Sequence, residues 1–141
     1  MTNTRENNPY EWASVSPTDV ELFNRELRSF VPPDAFDAHA HLWRNIDLGN
    51  SPSPLADAGP PEATLAVYKE RMSMWMPGRS PTGGLFFAYP TRSLDVVGAN
   101  RFLADQMKTD LNSRGLMILT PRQDPADVEQ QILNDGFAGF K

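Results

Sequence analysis

Strand-like runs alternate with amphipathic helical stretches along this chain, and few architectures accommodate that order. The first run is Ala35-Phe36-Asp37-Ala38-His39-Ala40-His41-Leu42-Trp43. Gly84-Leu85-Phe86-Phe87-Ala88-Tyr89-Pro90 is almost continuously apolar, as expected of a strand covered on both faces. Leu116-Met117-Ile118-Leu119-Thr120 is another buried-type run, and Phe137-Ala138-Gly139-Phe140-Lys141 reads as a fourth strand. The stretches between them carry helical spacing. Residues 62–76 place Leu65, Tyr68, Met72, Trp75 and Met76 on one stripe, ended by Pro77-Gly78. Residues 93–113 place Val97, Leu103, Met107 and Leu111 on one side, with Gly115 as the stop. A third helix opens at Asp124-Pro125-Ala126-Asp127, turns Val128, Ile132 and Leu133 to the core, and ends at Gly136. Strands joined by helices in this way imply right-handed crossovers and a parallel α/β sheet.

A further helix precedes the first strand. Ser16 caps it, Pro17 takes the first helical position, and Asp19 supplies an acid at the third. Val20, Phe23, Leu27 and Phe30 form its apolar stripe until Pro32-Pro33 stops it. Residues 1–15 lack periodicity and are expected to form a flexible arm, with Tyr10 and Trp12 able to dock on the body. Residues 16–141 form one domain. Its longest irregular stretch is 44–61, and loops of that length usually carry function or disorder.

Composition narrows the function classes. The chain has 141 residues, 40% of them hydrophobic, and a net charge of −5. That balance offers no basic patch for nucleic acid. Cysteine is absent, which removes disulfides and thiolate metal ligands. The N-terminus lacks the apolar core of a signal peptide, and no apolar run approaches a membrane span. The expected setting is cytoplasmic. The Met and Trp residues of 62–76 read as core packing.

Both histidines of the chain lie in the first strand, two residues apart. Side chains at i and i+2 share a strand face, so His39 and His41 are expected to point the same way with Asp37 behind them. Phe36, Ala38, Ala40 and Leu42 would face the other side. Parallel α/β sheets place ligands at the C-terminal ends of their strands, where this pair falls. Two imidazoles so arranged suit a divalent metal, Zn²⁺ before others. The same pair also fits two part-buried histidines satisfied by backbone hydrogen bonds. Asp37 is a candidate partner of the imidazoles or a structural acceptor. Arg44 could clamp a substrate carboxylate or be a solvated surface residue. No Gly-rich phosphate loop, Cys nucleophile or Ser-His-Asp set is evident.

Phe36-Asp37-Ala38-His39-Ala40-His41-Leu42-Trp43 resembles the first-strand signature of the amidohydrolase superfamily, in particular its amidohydrolase-related branch. The resemblance implies a (β/α)8 TIM barrel in which the two histidines of a D-x-H-x-H strand bind a catalytic divalent ion. It implies further ligands and a base from later strands: a residue after strand four, histidines after strands five and six, and an Asp after strand eight. Some members carry a carboxylated Lys at the end of strand four, which would correspond to Lys141 at the end of the fourth run. A solvated charge is the plainer reading of that Lys. The metal-ligand set expected on this basis is therefore His39, His41 and Lys141.

A barrel takes about 250 residues, whereas four strands are legible in this sequence. The expectation is the N-terminal half of a TIM barrel: a truncated product, a fragment of a longer polypeptide, or a half-barrel that completes itself by self-association. Phe86, Leu116 and Ile118 would then face water or another chain. The implied activity is metal-dependent hydrolysis of an amide, lactone or similar bond in a small-molecule substrate, with the isolated chain inactive. Decarboxylases and isomerases of the same superfamily share the first strand, and an inactive interaction module is the non-enzymatic alternative.

Overall fold

The computed structural model describes residues 14–50 and 54–141. The expected arm, with Tyr10 and Trp12, lies almost wholly outside the described residues. Helix α1 (Pro17–Leu22) starts at the predicted cap, where Ser16 and Asp19 close a reciprocal box. The Ser16 amide donates to Asp19 Oδ2 at 2.9 Å, and the Asp19 amide to Ser16 Oγ at 3.2 Å. The helix then widens into a π turn, Phe23–Leu27, closed by Arg28 N–H to Phe23 C=O. This extra residue per turn rotates the apolar stripe away from the body. Phe23 is buried, while Leu27 and Phe30 are exposed, contrary to the single stripe read from spacing.

Strand β1 (Phe36–Arg44) is followed by a 3-10 turn (Asn45–Asp47) and a short helix α2 (Pro54–Ala58). Then come β2 (Glu62–Ala63), α3 (Leu65–Trp75), β3 (Gly83–Ala88), α4 (Val96–Met107), β4 (Arg114–Met117), α5 (Pro125–Asp135) and β5 (Gly139–Phe140). The sheet order is β2-β1-β3-β4-β5. Four strands, β1, β3, β4 and β5, pair in parallel and in chain order, while β2 adds a two-residue antiparallel edge against Trp43 and Arg44. The result is a five-stranded, mostly parallel α/β sheet. No helix among the described residues is long and apolar enough to cross a membrane.

Helices α3, α4 and α5 share one core with the sheet. Leu65, Phe102, Leu103 and Ala104 meet Ala40, Leu42, Phe86, Ala88 and Met117 there, with Tyr68, Val128 and Ile132 at its margin. Phe86 has no exposed surface and Ile118 is buried, so neither faces water as expected for an open half-barrel. The reason is alternation: Phe86 points into the helix layer and Phe87 to the opposite face. Two exposed apolar side chains, Leu133 and Phe140, sit at the β5 edge, where they flank a groove also lined by Leu119, Val128 and Ile132.

Several boundaries differ from the spacing argument for local reasons. Residues 62–63 pair with β1 as β2, and Thr64 caps α3 by accepting the Val67 amide at 3.2 Å. Helix α4 starts later than read, at an Asp95 cap that accepts the Gly98 amide, and ends at Met107. Leu111 therefore lies in a turn and is exposed, as is Val97. Gly115 belongs to β4 and is no helix stop. A Cβ there would lie 3.0 Å from the Phe137 ring and 3.1 Å from Met107, so its absence lets α4 and the segment before β5 close on β4. Gly136 does terminate α5, at φ 70°.

Candidate metal centre

The His39 and His41 rings stand on one face of β1, edge to face, with centroids 5.3 Å apart. Both also meet the Phe87 ring, at 4.7 and 4.4 Å. Phe87 is itself buried, and Lys141 covers it from another side, with Nζ 3.9 Å above the ring centroid. Strands β1, β3 and β5 thus bring all three residues read as metal ligands around one phenyl ring. Tyr89 extends the surface past His41, and Trp43 packs on Tyr89.

Backbone groups hold the His41 ring and the Lys141 main chain. His41 Nδ1 lies 3.2 Å from the Ala88 carbonyl oxygen. A carbonyl only accepts, so Nδ1 carries the proton and Nε2 keeps the lone pair, the tautomer a metal or an acid requires. Burial, followed by the proximity of His39 and Lys141, holds the His41 imidazolium pKa below its ordinary value against the opposing pull of that carbonyl. The neutral ring is thereby favoured. Lys141 is tied into the sheet by its N–H to Met117 C=O at 2.8 Å and its C=O to Leu119 N–H at 2.9 Å.

Asp37 does not stand behind the imidazoles. Between Asp37 and Ala40, β1 advances three residues while β3 advances two, from Gly84 to Phe86. This irregularity turns Asp37 off the histidine face. Its carboxylate accepts the Tyr68 hydroxyl at 2.7 Å and the His39 amide at 3.0 Å. Tyr68 packs on Phe86 in the helix layer, and burial first, with the Asp37 bond second, raises its phenol pKa. The sequence position implied a partner for the rings; the structure makes Asp37 a clamp on the strand that carries them.

Arg44 is neither a free substrate clamp nor a solvated residue. Its Nε and Nη2 donate to the buried Asp47 carboxylate at 2.8 and 2.9 Å, and the guanidinium lies over Phe102. Asp47 in turn accepts the Asp95 amide on its own carbonyl, tying the loop after β1 to the start of α4. The loop read as irregular is therefore anchored by a fork-shaped ion pair.

One residue near the site escaped the sequence reading. Asn100, fully buried on α4, donates to Ile118 C=O and accepts Ile118 N–H, both at 2.9 Å. A polar amide among Ala99, Phe102 and Leu103 was the available signal, since buried polar groups are hydrogen-bonded. Asn100 fastens the segment between Met117 and Leu119, the two residues that grip Lys141.

The donor set suits part of a metal centre. Two imidazoles on one tetrahedral ion, each bonded at about 2.0–2.1 Å, set their ring centroids roughly 5 Å apart, which the His39–His41 spacing matches. Among the described residues no three of His, Cys, Asp and Glu gather around one point. The chain offers two imidazoles and, beside them, one amine. No protein-family model, curated protein or solved structure matches the chain.

Proposed function

We propose that this chain carries the first-strand part of a divalent-metal centre, of the kind used by amidohydrolase-like hydrolases, on the first four strands of a (β/α)8 barrel. The observation that carries this reading is the His39–His41 pair, 5.3 Å apart on one strand face, with the His41 tautomer set by Ala88. Two features of the fold support it. The parallel strands follow chain order without the reversal of a doubly wound sheet. The pair lies on the face opposite the helix layer, toward the strand ends where barrels hold their chemistry.

The chain's own residues would divide the work as follows. His39 and His41 bind through lone-pair nitrogens, the Ala88 carbonyl orients His41, and Asp37 fixes the His39 backbone. Zinc, when bound, supplies Lewis acidity for water attack on an amide or lactone carbon. Completion of the metal site and the general base are assigned to later strands, as the family pattern implies. The test is zinc bound per chain at equilibrium over a range of free zinc, because two imidazoles without the later ligands hold the ion weakly. The reading predicts one zinc per chain in the wild type and loss of it in His39→Ala. Absence of zinc from the folded wild-type chain would overturn it.

A further inference from the structure

We propose that Tyr68, on helix α3, is a positioning residue for the imidazole pair: acting through Asp37, it sets His39 beside His41. This deepens the metal-hydrolase reading, on which it rests, by naming the residue that fixes the geometry of the pair. The two imidazoles are held unequally. His41 has Nδ1 at 3.2 Å from the Ala88 carbonyl oxygen and its ring against both Phe87 and Tyr89. The His39 ring, on an exposed residue, has edge contacts with Phe87 and His41. The strand beneath His39 is also less supported. Strand β2 pairs with β1 at Trp43 and Arg44, beyond both histidines. Among the described strands, residues 36–39 therefore lean on β3 alone, and there the register slips between Asp37 and Ala40. An irregular edge segment needs other contacts to fix where its side chains point.

Asp37 supplies that contact with both carboxylate oxygens. Oδ1 accepts the His39 amide at 3.0 Å, and Oδ2 accepts the Tyr68 hydroxyl at 2.7 Å. Bonds on two oxygens fix the plane of a carboxylate, so the phenol decides where the acceptor for the His39 amide stands. Tyr68 is itself firmly placed. Its ring packs edge-on against fully buried Phe86, with centroids 4.9 Å apart. It lies near the start of α3, which is anchored by the Thr64 cap and by the Leu65 amide donating to Gln106 Oε1 at 3.0 Å. The position of α3 thus reaches His39 through two hydrogen bonds. Regular alternation would put Asp37 on the imidazole face; Tyr68 holds it in the helix layer instead.

The experiment compares the wild type, Tyr68→Phe and Asp37→Asn as full-length chains, each confirmed as folded by circular dichroism. Two quantities are read. Under chelator, NMR cross-peaks report the His39–Phe87 and His41–Phe87 ring contacts; without it, zinc affinity is measured over a range of free zinc. In Tyr68→Phe the His39–Phe87 cross-peaks should weaken while the His41–Phe87 cross-peaks hold, and zinc affinity should fall about tenfold. Asp37→Asn should keep both near the wild type, because its amide accepts the His39 N–H and donates to the phenol oxygen. Equal changes at both histidines, as general loosening would give, or an unmoved His39 in Tyr68→Phe, overturns the proposal. So does zinc binding that is unchanged or tighter in Tyr68→Phe, the latter meaning that a freed Asp37 carboxylate joins the ion. Selective loss of the His39 contacts, with no zinc bound by the wild type, would refute the metal reading and leave the positioning role standing. Zinc binding by the wild type with His39 unmoved in Tyr68→Phe would do the reverse.

Discussion

Replacing Asn100 by Ala should unfold this domain more readily than any exposed substitution, and the expected size follows from two bonds. Ladder pairing between β3 and β4 covers Leu85–Arg114 and Phe86–Gly115, so the Ile118 amide and carbonyl lie beyond it. The Asn100 side chain takes the place of a neighbouring strand, donating to one group and accepting from the other at 2.9 Å. Alanine leaves both groups buried and unpaired, at roughly 1–3 kcal/mol each, and adds a small void. A loss of about 3–5 kcal/mol is expected; with a urea slope near 2 kcal/mol/M, the midpoint should fall by about 2 M. Asn100→Asp is the informative companion. A protonated carboxyl can accept and donate as the amide does, whereas the carboxylate faces the Ile118 carbonyl with no hydrogen to give. Burial raises the folded-state pKa of such an acid, so stability should be recovered below the unfolded carboxylate value of about 4 and lost as pH rises. Equilibrium unfolding followed by circular dichroism gives both results. An Asn100→Ala loss under about 0.5 kcal/mol would refute the claim that this amide substitutes for a strand.

Two further perturbations address the supports of the site. Tyr68→Phe removes the hydroxyl bond to Asp37 and should cost about 1–2 kcal/mol at neutral pH, measured by urea unfolding. Because the folded state raises the Tyr68 pKa above 10.0, its contribution is complete below pH 10 and is lost as pH rises beyond it; the variant should show a smaller alkaline decline. Asp47→Ala leaves Arg44, whose side chain is 31% exposed, without its forked partner. A loss of about 1–3 kcal/mol is expected in the same assay, smaller than for a fully buried pair because solvent can reach the guanidinium.

The order of the four parallel strands and of α1, α3, α4 and α5 was legible because apolar runs and helical stripes differ in period, and Ser16, Asp124 and Gly136 mark ends by local chemistry that tertiary contacts leave unchanged; α2 and the antiparallel β2, inside stretches read as loop and helix, were not. The histidine pair was legible for the same reason: i and i+2 on a strand share a face. The irregularity at residues 37–40 was not, since no Gly or Pro announces it, and it reverses where Asp37 points. Tertiary partners hid the rest. Arg44 finds Asp47 three residues on, where the loop must first fold into a 3-10 turn, and Val97 loses its expected core position once Asp95 sets the start of α4. The approach of Lys141 to the histidines depends on a three-strand neighbourhood that only the assembled sheet supplies; its sequence position suggested a link through family resemblance alone.

The claim at the centre of this account is that one ion bonds both imidazoles. X-ray absorption at the zinc edge of the loaded chain measures this directly. The account predicts two imidazole-type scatterers with nitrogen at about 2.0 Å in the wild type, and no imidazole-bound zinc in His39→Ala or in the double variant. An unchanged spectrum in the double variant would place the metal elsewhere and contradict the assignment.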